Sequence, residues 1–482
     1  MTGLDLRPAI PALIVALTGL VVLLAQAFTP KGKASPSLGL SITGLGGALV
    51  AVWLMAGGRG LQSSLGGSLA ADRFALAFQA LLLAITVGAL LLSASYLRAT
   101  GLDRGEHYAL MLFSLVGMMG LVATTELVAL FVALEIMSVA LYGLAGVRRD
   151  RPESQEAALK YFVTGAFSSA FFLYGVALLY GMSGSTNLDR IGQAAARLPA
   201  DGQGLAVLGA GFLLVGFGFK VASVPFHMWA PDVYEGAPTT VTAFMAAGVK
   251  VAAFGALLRV FGQSLVPLAD AWQPAVAVLA IVTMVVGNLA ALAQTNVKRM
   301  LAYSSIAHAG YLLTAFVAPW EAAAPSVLFY LVGYGAVSLG GFGALAALAK
   351  DGLEPLSLTD LNGLSARRPA LAAALTVFLI SLTGVPVSAG FIGKFYLFGA
   401  AVNADYVSLA LVGVVMSVVS AYYYLRVVVA MYMKDPRSED PWARVAPAAT
   451  AALGAAVLVV LGFGVFPGPL VSWARRAAQS LL

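Results

Sequence analysis

Long apolar runs, separated by short polar or Gly/Pro-rich stretches, recur along the whole chain. Fourteen runs are close to about 20 residues, the length of an α-helix that crosses the hydrocarbon core of a membrane. They cover approximately residues 8–28, 37–57, 74–97, 108–125, 127–146, 157–181, 204–230, 239–262, 272–293, 300–318, 324–349, 370–401, 405–433 and 446–468. The pattern predicts an all-α polytopic membrane protein with about 14 transmembrane helices.

Two of these runs contain residues that interrupt a helix. The seventh, continued to Val233, is too long for the roughly 30 Å hydrocarbon core and is predicted to break at Val224-Pro225. The twelfth contains Gly384 and Pro386. Because the two interrupted runs are five runs apart, an odd offset, they predict two inverted repeats.

This pattern divides the chain into four parts. They are an N-terminal three-helix segment at 1–107, a first inverted repeat (helices 4–8) at 108–262, a second inverted repeat (helices 9–13) at 263–433, and a last helix with its tail at 434–482.

Composition supports the membrane assignment. The chain is 60% hydrophobic and only 10% charged, whereas soluble domains carry about 25% charged residues. The net charge of +6 would suggest nucleic acid in a soluble chain. Here the basic residues lie mostly in short loops, which indicates membrane topology instead, and no nucleic-acid partner is expected.

The distribution of basic residues predicts the orientation. Sixteen lysines and arginines, among them Arg148 and Lys298, fall in one set of loops, and eight, among them Arg259, fall in the opposite set. The richer set is expected in the cytoplasm, which places both termini on the outer, periplasmic side. The first run is expected to remain as a helix rather than to be a cleaved signal peptide, because Asp5 offsets Arg7 and the run is long enough to span.

The chain has no cysteine. Thiolate-ligated iron–sulfur clusters, structural zinc of the cysteine type and disulfides are therefore excluded, and any redox chemistry must occur in a partner. The histidines His107, His227 and His308 are too scattered to predict a metal site.

Three lysines, Lys220, Lys250 and Lys394, lie within apolar runs. A lysine at the centre of a membrane helix costs about 2.5–3.5 kcal/mol, so each must face protein or water. Glu135 is the best candidate for an acidic partner and, like Lys250, is predicted to lie near mid-bilayer, roughly 13–16 Å from the start of its run. These residues indicate an ion or proton path; the alternative is that they are structural ion pairs that fix helix register.

Three stretches carry a family resemblance. KVASVPFHMWAPDVYEGAPTTVTAFMAAGVK, NVKRMLAYSSIAHAGYLL and GVPVSAGFIGKFYLF together resemble the antiporter-like subunits of proton-pumping NADH–quinone oxidoreductase (respiratory complex I). DVYEGAP is similar to the subunit N type, which is related to mitochondrial subunit 2. The resemblance covers essentially the whole chain.

The resemblance implies a role for five residues. Glu135 matches the fifth-helix glutamate that pairs with the seventh-helix lysine, here Lys220. Lys250 matches the eighth-helix lysine of the central hydrophilic axis, His308 the tenth-helix histidine, and Lys394 the twelfth-helix lysine. Family members translocate protons and themselves bind neither NADH, flavin nor iron–sulfur clusters.

Four further polar residues are less strongly indicated as functional. His227 follows the predicted break and could simply stabilise irregular backbone. Lys160 is interpreted mainly as a topology residue. Asp232 and Glu235 are expected to be solvated turn residues or anions at a helix start.

Two functions remain open from the sequence. The first is a proton-translocating membrane subunit of NADH–quinone oxidoreductase in a bacterial inner membrane, with FMN, iron–sulfur clusters and quinone in partner subunits. The second is a cation/proton antiporter subunit of the multi-subunit sodium–proton type. A purely structural membrane subunit is a third, weaker possibility.

Overall fold

The computed structural model describes residues 6–29, 35–58, 62–64, 67–436 and 442–481. Its helices, in chain order, are α1 (Ile10–Ala27), α2 (Ser37–Ala56), α3 (Arg73–Ala99), α4 (Gly105–Ala123), α5 (Leu127–Ala145), α6 (Pro152–Ser183), α7 (Leu188–Ala196), α8 (Gly204–Val221), α9 (Trp229–Gly236), α10 (Thr239–Phe244), α11 (Lys250–Gln263), α12 (Ala269–Leu292), α13 (Val297–Leu313), α14 (Trp320–Ala346), α15 (Leu364–Arg367), α16 (Pro369–Thr383), α17 (Ala389–Asn403), α18 (Val407–Met433), α19 (Pro447–Val465) and α20 (Gly468–Ala478).

Thirteen helical segments in the described residues are long and apolar enough to cross a membrane. The remaining predicted span, 370–401, is divided into α16 and α17, each shorter than a full crossing. The prediction of a polytopic helical protein is therefore confirmed. Four basic residues used for the orientation lie outside the described residues: Lys31, Lys33, Arg59 and Arg437.

The helices that carry most of the polar residues lie at the centre of the bundle. The segment Thr239–Gln263, which runs from α10 to α11, is buried from Thr239 to Phe261, and Val297–Val317 is buried except at Arg299 and Tyr303. By contrast, the α1 and α2 segments are only 28% buried. Small residues allow close approach: a Cβ on Gly310 would lie 2.7 Å from the Met284 backbone nitrogen, which explains how tightly α12 and α13 pack.

A short hairpin departs from the all-α prediction. Strands β1 (Gln62–Ser64) and β2 (Leu69–Ala71) pair antiparallel before α3. Asp72 follows β2, caps α3 through the Ala75 N–H, and accepts two hydrogen bonds from Arg259, at 2.8 and 2.9 Å. Arg259 was assigned to an outer loop from the sequence, but it is buried in α11. Its partner is 187 residues away, so no local pattern identifies the pair.

Both predicted helix breaks are present. Helix α8 ends at Val221, three residues before the predicted point, because Ala222 adopts a left-handed conformation (φ 58°). The chain is irregular until α9, with a cis peptide at Val224-Pro225. Its freed backbone is partly satisfied by a hydrogen bond from the Val224 N–H to Thr283 Oγ1, at 3.0 Å.

The second break has a similar start. Helix α16 ends at Thr383, and Gly384 adopts a left-handed conformation (φ 90°). Helix α17 begins at Ala389, capped by the Ser388 hydroxyl. The glycine and proline in this run therefore predicted the interruption correctly.

Candidate functional site

Lys220 lies in the last turn of α8, immediately before the first break. Its side chain is buried, and its ammonium donates a hydrogen bond to Ser138 Oγ at 2.8 Å. The rings of Tyr142, Tyr161 and Phe219 surround the ammonium, with centroids 5.3–5.9 Å away. The cation is thus held by a hydroxyl and aromatic faces.

Glu135 does not form the expected direct pair with Lys220, although both residues lie in the described part of the chain. Instead, Glu135 is half-buried on α5 and accepts a hydrogen bond from Ser169 at 2.5 Å. Lys220 contacts α5 one turn further along, at Ser138. Lys220 therefore has the Ser138 hydroxyl as its hydrogen-bond partner, and Glu135 has the Ser169 hydroxyl, where a direct pair would join the two charges.

Lys250 is buried at the centre of the bundle. It begins α11, directly after a π-helical turn at Met245–Val249. Its ammonium donates to the Ser305 carbonyl on α13 and lies 5.4 Å from the Tyr334 ring centroid. Single π turns are frequent at functional sites because they reorient the residues around them.

His308 is buried between two tyrosines. Its Nδ1 contacts the Tyr330 hydroxyl, and its Nε2 lies 3.3 Å from the Tyr424 hydroxyl. The Tyr311 ring meets the imidazole edge-on, with centroids 5.2 Å apart. Both ring nitrogens therefore have hydroxyl partners, which can donate or accept according to the tautomer.

Lys394 lies on α17, after the second break, yet its side chain reaches back across it. The ammonium donates to the carbonyls of Leu382 and Thr383, at 2.9 and 3.0 Å, and to Ser417 Oγ at 3.1 Å. The carbonyl end of a helix attracts cations. Lys394 therefore occupies the end of the first half-helix, as Lys220 does in the first break.

A polar cluster beside His308 and Lys394 was missed from the sequence. Asn288 on α12 accepts a hydrogen bond from the Tyr423 hydroxyl at 3.0 Å and donates one to the Tyr311 hydroxyl at 3.1 Å. Lys394 lies 4.5 Å from the centroid of the Tyr311 ring. Asn288, Tyr311 and Tyr423 come from three separate helices, and each alone looks like an ordinary core side chain.

His227 and Lys160 lie outside this buried line. His227 is half-buried in the first break, and its Nδ1 has no hydrogen-bond partner among the described residues. Lys160 is partly exposed and pairs with Glu156 and Asp232, each at 2.6 Å. Such exposed ion pairs contribute little to stability.

Asp232 and Glu235 are more than solvated turn residues. Both accept from Arg299 Nη1, at 2.7 and 2.8 Å. Glu235 also accepts from Asn296 at 2.7 Å. The sequence did not predict this cluster because Arg299 is more than 60 residues further along the chain.

A second charged cluster, which we call the Glu354 cluster, joins four parts of the chain at one end of the bundle. The Glu354 carboxylate forms ion pairs with Arg148 at 3.1 Å and with Lys298 at 3.2 Å. It also accepts hydrogen bonds from the hydroxyls of Tyr96 and Thr239. Arg148 and Lys298 were interpreted as loop residues that set topology, but both are buried.

The charge state of Glu354 follows from these contacts. Burial by itself raises the pKa of its carboxyl. The Lys298 ammonium and the hydrogen bonds from Thr239 and Tyr96 outweigh burial, so the pKa lies below its usual range. The carboxylate therefore stays ionised near neutral pH.

The three buried lysines share one property. In the described part of the chain, none of them forms an ion pair with a carboxylate. Their hydrogen-bond acceptors are hydroxyl and carbonyl groups. A cation held in this way can lose its proton more readily than one paired with a carboxylate.

Two broken helices with buried lysines at their ends define a class of antiporter-like membrane proteins. The sequence profile of the family described as NADH:quinone oxidoreductase/Mrp antiporter, TM, matches residues 124–420. NADH-quinone oxidoreductase subunit N of Trichlorobacter lovleyi is 41% identical over 476 residues, which cover 99% of this chain and 97% of that relative. The chain therefore belongs to the family of NADH-quinone oxidoreductase subunit N.

Solved structures agree with this assignment. A chain of respiratory complex I from Thermus thermophilus with bound aureothin is 37% identical, with a TM-score of 0.81, covering 96% of this chain and 98% of that one. A chain of the Mrp complex from Dietzia sp. DQ12-45-1b has a TM-score of 0.87 at 22% identity, covering 99% and 98%. The second likeness shows a shared fold.

Proposed function

We propose that the chain is a proton-translocating membrane subunit of an NADH-quinone oxidoreductase. The observation that carries this proposal is the line of three buried lysines, which form no ion pair with a carboxylate in the part of the chain that the structure describes. Holding unpaired cations in a bundle costs free energy, and a merely structural role would favour pairing them. Membership of the subunit N family supports the same function.

The protons follow a relay of five residues: Glu135, Lys220, Lys250, His308 and Lys394. Lys220 passes its proton toward Lys250 when the charge on Glu135 is neutralised or drawn away. Lys250 passes it on through His308 to Lys394, and hydroxyl groups and trapped water connect these steps. His227 and Lys160 have at most a supporting role, His227 at the first break and Lys160 at the mouth of the bundle.

The relay is tested in membrane vesicles that contain the assembled complex. We expect Lys220→Ala and Glu135→Ala each to abolish or strongly reduce NADH-driven acidification, measured with a pH-sensitive dye. The matched control is Lys434→Ala, which removes an exposed lysine at the end of α18. Native gels verify that every variant assembles. Normal acidification by an assembled Lys220→Ala complex would refute the relay.

The complex supplies the redox chemistry. FMN, iron–sulfur clusters and quinone are assigned to partner subunits, because a chain without cysteine has no thiolate ligands for such clusters. The partners include a neighbouring antiporter-like subunit and small membrane subunits on the quinone side. The chain lies in a bacterial inner membrane with both termini outside, and residues 108–262 and 263–433 form its inverted repeats.

The second candidate is a cation/proton antiporter subunit of the multi-subunit sodium–proton type, which the fold shared with the Mrp complex favours. Proteins that co-purify in mild detergent separate the two. Flavin and iron–sulfur absorbance in the purified assembly supports the first function. Sodium-driven acidification without NADH supports the second.

A further inference from the structure

A groove runs along the outside of the bundle between α2, α3 and the C-terminal helix α20. Its apolar part has a volume of about 710 Å³, and a more polar part of about 500 Å³ adjoins it. Both parts are lined by Ala56, Arg73, Leu76 and Arg476. The groove is therefore continuous and changes in polarity along its length.

The polar end carries two guanidinium groups. Arg73 and Arg476 are exposed, and no ion pair joins either of them to an acidic residue in the described part of the chain. Asp72 also lines this end, but both of its carboxylate oxygens bind Arg259. The polar end thus presents two positive charges, and Asp72, the acidic residue among its described lining residues, is already paired with Arg259, which favours an anionic ligand.

The apolar end is built for a hydrocarbon chain. It is lined by Leu49, Val50, Trp53 and Ala80, with Trp473 from α20 on the opposite side. Ala80 is seven residues beyond Arg73 on α3, so the groove extends roughly 10 Å from the charged end into the membrane. Tryptophans on both walls are typical of the depth where headgroups meet acyl chains.

We propose that this groove binds an anionic phospholipid. Arg73 and Arg476 bind its phosphate, and an acyl chain lies between α2 and α3 against Trp53 and Trp473. The phosphate of a zwitterionic headgroup is balanced by its own ammonium, whereas an anionic lipid brings a net negative charge to the two guanidiniums; a soluble anion would leave the 710 Å³ apolar part unused. The lipid therefore links α20 to the first helices of the bundle.

Photochemical labelling tests this site on the assembled complex. The complex is reconstituted in phosphatidylcholine nanodiscs that contain a phosphatidylglycerol analogue with a photoreactive acyl chain. We expect labelled peptides around Trp53 and Trp473. Unlabelled phosphatidylglycerol should displace this label, and additional phosphatidylcholine should not.

Variants of the two arginines give the quantitative test. Each basic residue near a membrane surface is worth about fivefold in anionic-lipid affinity, so R73Q/R476Q should weaken labelling about thirtyfold. The matched control is R475Q, on the same helix but not lining the groove, which should label like the parent. R73K/R476K keeps both charges and should retain most of the labelling, which separates charge loss from misfolding.

Two outcomes would overturn the proposal. Equal labelling by phosphatidylglycerol and phosphatidylcholine analogues, unchanged in R73Q/R476Q, would mean that any acyl chain fills the groove regardless of headgroup. Labelling of exposed helices such as α6 without labelling of the groove would mean that another protein covers it. The competition experiment uses the parent complex alone, so it tests the headgroup preference even if R73Q/R476Q fails to assemble.

Discussion

Buried cations are held in two different ways in this molecule. In the Glu354 cluster, Arg148 and Lys298 both contact a carboxylate. In the lysine line, Lys220, Lys250 and Lys394 are held by hydroxyl groups, carbonyl groups and aromatic faces. Among the described residues, the same bundle therefore contains buried cations that contact a carboxylate and buried cations that do not.

The difference separates stability from function. Disrupting a buried ion pair is strongly destabilising, because the remaining charge is left uncompensated. A buried lysine without a carboxylate partner opposes folding, so stability does not explain why it is there. A role as a proton-exchanging site explains it, because buried titratable groups cluster at functional sites. We therefore expect mutations in the two regions to affect different measurements.

The largest effect on stability is expected from Glu354→Gln. It leaves Arg148 and Lys298 without a carboxylate and should lower the free energy of unfolding by about 3–5 kcal/mol. The thermal stability of the purified complex measures this, with Glu321→Gln, an exposed glutamate on α14, as the control. A Glu354→Gln complex as stable as the control would show that the cluster is dispensable.

The same cluster gives a pH prediction. The folded-state pKa of Glu354 lies below its usual value of about 4.3. Its stabilisation is therefore fully present above about pH 4.3 and is lost as the pH falls through the folded-state pKa. The stability difference between parent and Glu354→Gln should be constant through the neutral range and shrink on strong acidification. A difference that grew with acidification would contradict this sign.

The next effect has the opposite sign. Lys250→Met replaces a buried cation by an apolar side chain of similar length and so removes a charge that costs about 2.5–3.5 kcal/mol at the centre of a membrane helix. We expect thermal stability to be unchanged or higher while NADH-driven acidification is lost. The exposed Lys434→Met is the control for both measurements. Destabilisation of Lys250→Met by several kcal/mol would instead assign this lysine a structural role.

A smaller effect compares the two broken helices. Ser138 supplies the hydrogen bond of the Lys220 ammonium, whereas Lys394 has two carbonyls besides Ser417. A hydrogen bond to a charged group is worth about 1.5–3 kcal/mol, so Ser138→Ala should slow proton translocation about tenfold or more. Ser417→Ala should have little effect. Equal losses of proton translocation in Ser138→Ala and Ser417→Ala would indicate that both lysines depend equally on their serine hydroxyls.

The smallest pair of effects concerns the two left-handed residues. Gly384 has φ 90°, and a Cβ there would lie 3.1 Å from Lys394 Cδ, so Gly384→Ala should cost about 1–2 kcal/mol. Ala222 has φ 58°, and Ala222→Gly should stabilise by about 0.5 kcal/mol. Thermal stability of the complex measures both. Shifts of the same sign would mean that backbone strain does not decide stability at one of the two positions.

Much of this architecture could be predicted from the sequence. Apolar runs indicated the membrane spans because a helix needs about 20 apolar residues to cross the hydrocarbon core. Pro225 and Gly384 indicated the breaks because proline lacks an N–H and glycine tolerates positive φ. The lysines were recognised because a charge in an apolar run is expensive.

The contacts were harder to predict, for physical reasons. The Arg148–Glu354 pair spans 206 residues and the Arg259–Asp72 pair 187, and no local periodicity records such distances. For the Glu135–Lys220 pair expected from the resemblance, each side chain forms a hydrogen bond with a serine hydroxyl, Ser169 for Glu135 and Ser138 for Lys220. Asn288 carried no signal because a buried amide on an apolar helix looks like any other packed polar residue.

The π turn at Met245–Val249 has a consequence for engineering this chain. It accommodates one more residue per turn than the flanking α-helix, so deleting a single alanine there would restore regular winding without breaking the backbone. Because the π turn absorbs that extra residue, the segments on either side would keep nearly their present azimuths, whereas a deletion from a regular α-helix rotates its flanks by about 100°. One deleted codon would thus remove the local widening of the backbone before Lys250 while leaving the direction of this lysine nearly unchanged.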